Sequence, residues 1–106
     1  MTTIQKSQDV LTLINVFTVA PEKQQNLVDL LIGATEQTMR HLPGFISANI
    51  HKSYDGHRVV NYAQWRSRED FEAMLKSPEA APHMAQAVEL AEPDPILCEV
   101  VHLDHA

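Results

Sequence analysis

Asn61 and Trp65 stand four residues apart in the run Val59-Val60-Asn61-Tyr62-Ala63-Gln64-Trp65. Its β-branched and aromatic content predicts a strand, and alternation of side chains then puts the amide and the indole on one face, about 13 Å apart. Two directional hydrogen-bonding groups so placed could hold two ends of one flat ligand and stabilise negative charge formed on it. The plainer readings are a tryptophan packed at a strand end and an amide satisfied by neighbouring backbone. Asn15 poses the same choice inside the apolar run Val10–Val19. His83 lies on a helical segment expected to cover the same face, and an imidazole is the side chain best suited to accept a proton near neutral pH. A surface histidine is the alternative there. Six histidines and one cysteine, Cys98, occur in the chain, but none has the paired spacing of a metal site, so no metal is expected. A glycine-rich dinucleotide turn is also missing, and no cofactor is expected.

The elements that must position these groups follow from pattern. Val10–Val19 is apolar on both parities, which predicts a strand covered on both faces. Pro21 and Glu22 suit a helix start, and Leu27, Leu30, Leu31, Ala34, Thr38 and Leu42 recur at helical spacing, so a long helix is expected to about His41, stopped by Pro43-Gly44. Asp55-Gly56 predicts a two-residue turn between strands two and three, which sets Tyr54 opposite His57, Ile50 opposite Asn61 and Ile46 opposite Trp65. Ser67 and Asp70 read as the cap of a short helix through Phe71 and Met74, ended near Pro78. A second segment from about Glu79 to Ala91 is expected to break at Pro93 and Pro95, with Ile96–Leu103 as the last strand.

The order β-α-β-β-α-β, with its second helix broken, predicts an α+β, ferredoxin-like domain: four antiparallel strands with helices on one face. An apolar sheet face left uncovered by helices implies a face-to-face homodimer. A polar, flexible segment over residues 1–9 and a single domain over 10–106 are expected. The chain has 106 residues and a net charge of -6, with scattered basic residues, which argues against nucleic acid as a partner. No apolar run is long enough to cross a membrane, and a cytoplasmic location is the expectation.

Pro43-Gly44-Phe45, the Asp55-Gly56 hairpin and Val59–Trp65 resemble the antibiotic biosynthesis monooxygenase family of dimeric α/β barrels, over roughly residues 10 to 103. The likeness is greatest to its cofactor-independent members, which oxidise polycyclic phenols to quinones with dioxygen. It implies that Asn61 and Trp65 hold the substrate's oxygens, while His83 stays the candidate proton acceptor on the strength of its place on the covering helix and its imidazole chemistry. Two family features differ: Phe71 stands where a tyrosine is found, and Met84 or Ala85 where an arginine is found. Phe71, Met74 and Met84, with Asn15, are accordingly expected to contact the substrate. Haem-degrading members are a weaker likeness, sharing Asn15 but having tryptophan at Met74. A non-catalytic dimeric module for a small aromatic ligand is a further alternative.

Overall fold

The computed structural model describes residues 2–6 and 9–106. Strands β1 (Leu11–Val19), β2 (Phe45–Lys52), β3 (Arg58–Trp65) and β4 (Ala91–Cys98) form one antiparallel sheet in the order β2-β3-β1-β4. Helices α1 (Gln24–Gln37), α2 (Arg68–Leu75) and α3 (Ala81–Leu90) complete the expected β-α-β-β-α-β plan, with the second helical region broken in two. Odd-numbered residues of β1 and β3 face the helices, because alternation along a strand sends successive side chains to opposite faces.

The long first helix is shorter than its periodicity predicts. Pro21–Lys23 forms a 3-10 turn before α1, and Met39–His41 forms another after it. Thr38 is the break between them, with φ -130° and ψ -62° outside helical values. On the other long connection, Ser67 accepts a hydrogen bond from the Asp70 amide at 3.1 Å and caps α2 as expected.

Three register details differ from expectation. A bulge lies between Phe45 and Ser47, so Phe45, not Ile46, stands opposite Trp65, while Ile50 remains opposite Asn61. The extra residue turns Ile46 outward and lets the Phe45 ring meet the Trp65 ring edge-on at 5.6 Å. The hairpin is also wider than two residues: the strands end at Lys52 and Arg58, and the Gly56 amide donates to the Ser53 carbonyl at 3.2 Å. Asp55 explains the widening, since its carboxylate takes the Ser53 hydroxyl at 2.7 Å and the His57 amide at 3.0 Å. Finally, β4 begins at Ala91 and includes Pro93 and Pro95, rather than starting after them. It is an edge strand, where a residue lacking an N–H is tolerated.

The core between sheet and helices is divided. One cluster gathers Leu13, Ala63, Trp65, Phe71, Met74 and Ala80; the other gathers Phe17, Val19, Leu27, Val28, Val59 and Ala87. Along β1 the division falls at Asn15, between Leu13 and Phe17, and along β3 it falls at Asn61, between Val59 and Ala63. These two asparagines are direct cross-strand partners. Two amides side by side cannot be closed over by apolar packing without losing hydrogen bonds, so the core parts around them.

The opposite sheet face carries Ile14, Val16, Val60 and Tyr62, all half-buried, with Ile96 exposed. Towards β2 this face is polar. Ser47 donates to Gln64 Oε1 at 2.9 Å, and Gln64 Nε2 donates to the Thr3 carbonyl at 2.7 Å. Asn49 Nδ2 reaches both Thr2 Oγ1 and the Tyr62 carbonyl, so Thr2 and Thr3 lie across the sheet there.

Candidate active site

The parted core holds a cavity of about 430 Å³ between the sheet and the helices. β1 supplies Leu13, Asn15 and Phe17 to its wall; β3 supplies Asn61, Ala63 and Trp65; β4 supplies Pro93, Pro95 and Leu97. The helical side adds Leu31 and Thr35 from α1, Phe71 and Met74 from α2, and His83 and Met84 from α3. The space is of the size that small-molecule sites occupy, and it is lined in the usual way, mostly apolar with a few polar groups.

Its polar groups differ in how well they are satisfied. Asn15 Oδ1 accepts the Asp94 amide of the edge strand at 3.2 Å. Asn61 Oδ1 is buried and has no hydrogen-bond partner among the described residues. Leaving such a group unpaired costs about 1–3 kcal/mol, which a ligand hydroxyl would recover. His83 Nε2 lies 3.0 Å from Thr38 Oγ1, and both residues are half-buried. Trp65 is only 2% exposed and is fixed by ring contacts to Phe45 and, at 6.4 Å, to Phe71.

A family model described as antibiotic biosynthesis monooxygenase matches residues 10–90. The chain belongs to that family. It is 54% identical over 102 residues to the tetracenomycin-F1 monooxygenase of Streptomyces glaucescens, covering 96% of this chain and 91% of that one. Among solved structures, the ActVA-Orf6 monooxygenase of Streptomyces coelicolor, in complex with nanaomycin D, is similar with a TM-score of 0.81 and 29% identity, over 91% of each chain. SnoaB, a cofactor-independent oxygenase from Streptomyces nogalater, shares the fold with a TM-score of 0.76 and 24% identity, over 90% of this chain and 96% of that one.

In this monooxygenase the seven residues expected from sequence to form the site, Asn15, Asn61, Trp65, Phe71, Met74, His83 and Met84, all line the one cavity. Their hairpin is pinned to α1 by Gln24, whose Nε2 donates to the carbonyls of Ser53 and Arg58 at 3.1 and 3.0 Å. Tyr62 and Gln64 are on the opposite face, and His51 and His57 lie outside the cavity lining. Sequence reasoning missed part of the wall, including the two prolines of β4, and the partner of His83. Pro93 and Pro95 were expected only as helix breakers, although the alternation Ala91-Glu92-Pro93-Asp94-Pro95 already carries a strand's period. Thr38 was placed in the apolar stripe of the first helix, and its hydroxyl's link to His83 spans 45 residues, beyond any local pattern.

No helix among the described residues is long and apolar enough to cross a membrane. Nor do those residues include a group of three or more His, Cys, Asp or Glu side chains that could hold a metal.

Proposed function

We propose that this monooxygenase oxidises a flat polycyclic phenol of the anthrone type to a quinone, using dioxygen and no bound cofactor. The observation that carries the reading is the unpaired Asn61 carbonyl oxygen beside an apolar cavity, which calls for a ligand that is aromatic and bears a hydroxyl. The 54% identical relative is named for tetracenomycin F1, and that compound is the first substrate to try.

The chemistry needs little from the protein. Removal of a proton from the bound anthrone, with His83 as acceptor, leaves an electron-rich anion. That anion passes one electron to dioxygen, and the resulting radical and superoxide combine into a carbon-bound peroxide. Heterolysis of the O–O bond, with loss of the second hydrogen from the same carbon, gives the carbonyl and water. One dioxygen is consumed per substrate; one of its atoms enters the quinone and the other leaves as water. Asn61 serves both charge states, because its amide can offer oxygen to a phenol and, rotated by half a turn, N–H to a phenolate. Trp65 is assigned the other end of the ligand, and Phe71, Met74 and Met84 enclose it in a dry pocket that strengthens these hydrogen bonds. Without a tyrosine at position 71 or an arginine at 84, substrate orientation falls to Asn61, Trp65 and Asn15.

The working form is proposed to be a homodimer joined through Ile14, Val16, Val60 and Tyr62, with the cavities on the outer sides. Protein stripped with a chelator, given an anthrone or tetracenomycin F1 and air, should form the quinone. Turnover that begins only when flavin and a reductant are added would overturn the cofactor-independent reading.

A further inference from the structure

We infer that Thr38 is a positioning residue for His83, setting the ring tautomer that lets it take the substrate's proton. The inference rests on the reading of His83 as the proton acceptor and specifies how that residue is prepared. Thr38 Oγ1 and His83 Nε2 are 3.0 Å apart. Thr38 is outside the cavity lining while His83 is within it, so the hydroxyl meets the imidazole without itself lining the cavity. A neutral imidazole has one N–H and one lone pair, and a partner at one nitrogen decides which is which. If Nε2–H donates to Thr38 Oγ1, Nδ1 keeps its lone pair and accepts the proton. Once His83 is charged both nitrogens are donors, so the same bond to Thr38 persists and becomes charge-assisted. The opposite arrangement, with the hydroxyl donating to Nε2, would place the hydrogen on Nδ1 and remove the base.

The backbone at Thr38 suits this role. α1 stops at Gln37, and Thr38 leaves helical geometry while its own N–H still bonds the Ala34 carbonyl at 3.0 Å. The residue is thereby held by its backbone while its side chain meets α3. His83 is anchored from the other side, its N–H bonding the Ala80 carbonyl at 3.1 Å. The contact ties the residue that follows α1 to α3, which constrains the ring's angle as well as its tautomer.

Nitrogen NMR of the histidine-labelled wild-type protein reads the tautomer without any substitution; the His83 signals, assigned by their loss in His83→Gln, should show Nε2 protonated. Thr38→Val, which keeps the shape and removes the hydroxyl, should lower kcat roughly ten- to a hundredfold with KM and Tm little changed. Thr38→Ser should restore kcat, and Thr38→Val should have no further effect in a His83→Gln background. A protonated Nδ1, or full kcat in Thr38→Val while His83→Gln is impaired, overturns the role of Thr38 and leaves His83 as the acceptor. Full turnover in His83→Gln removes both readings together.

Discussion

Asn61 and Trp65 are neighbours on one strand face, yet their surroundings differ, and substitution should separate them. Asn61 lies where the two core clusters part, with a buried oxygen that no described residue satisfies. Asn61→Ala removes that liability together with the proposed anchor for the substrate. Turnover should therefore fall by about 10² to 10³, the usual effect of losing one oxyanion-type donor, while thermal stability is held or rises. Trp65 is packed against Phe45 and Phe71, so Trp65→Phe should lower both turnover and Tm. Stopped assays alongside calorimetry distinguish these outcomes; an Asn61→Ala protein that melts early and retains its activity per folded molecule would make the amide structural. The shared face of residues 61 and 65 in the candidate site was legible because strand alternation alone dictates it. The His83 partner was not, because a contact between the ends of two helices leaves no trace in local spacing.

Elements set where those residues point, and two of their joints are open to test. Gly44 has φ +84°, and a Cβ there would come within 2.4 Å of the Asp70 side chain. Asp70 is itself tied to Arg66, whose Nη2 is 3.0 Å away, and to the Ser67 cap, so it has little room to retreat. Gly44→Ala should cost at least the 1–2 kcal/mol or so of the left-handed backbone alone, read as a lower urea midpoint at unchanged slope. At the hairpin, the His57 backbone N–H first, and then the Ser53 hydroxyl, hold the Asp55 carboxyl below its ordinary pKa. A depressed carboxylate pKa contributes stability above the unfolded-state value and loses it as pH falls through the folded one. The stability difference between the parent and Asp55→Ala should thus narrow on acidification below the ordinary aspartate range, in urea melts taken at a series of pH values. Element order and the Ser67 cap were readable from periodicity and capping residues. The bulge at Ile46 and the early start of β4 were not read, for different reasons: a bulge adds a residue without changing the apolar pattern, whereas the prolines of β4 outweighed an alternation that was present.

For the molecule as a whole, the sheet is covered by helices on one side only, and the cavity lies on that side, between sheet and helices, and is partly open. The proposed homodimer joins the uncovered faces and should bury on the order of 2,000 Å² in total. Val16→Asp would place a charge at the centre of that contact and should halve the mass seen by light scattering; a wild-type monomer at micromolar concentration would refute the arrangement. A common fold can carry a particular reaction through a few residues: the sheet and helices form the container, while the polar pair Asn15 and Asn61 interrupts its core and is proposed to select what enters. The account stands most directly on isotope labelling. Chelator-treated protein turning over an anthrone substrate under ¹⁸O₂ should place one labelled atom in the quinone and one in water, with one dioxygen used per substrate and no added flavin or metal. Quinone whose new oxygen comes from solvent, after control for exchange, or a dependence on added flavin and reductant, would contradict it.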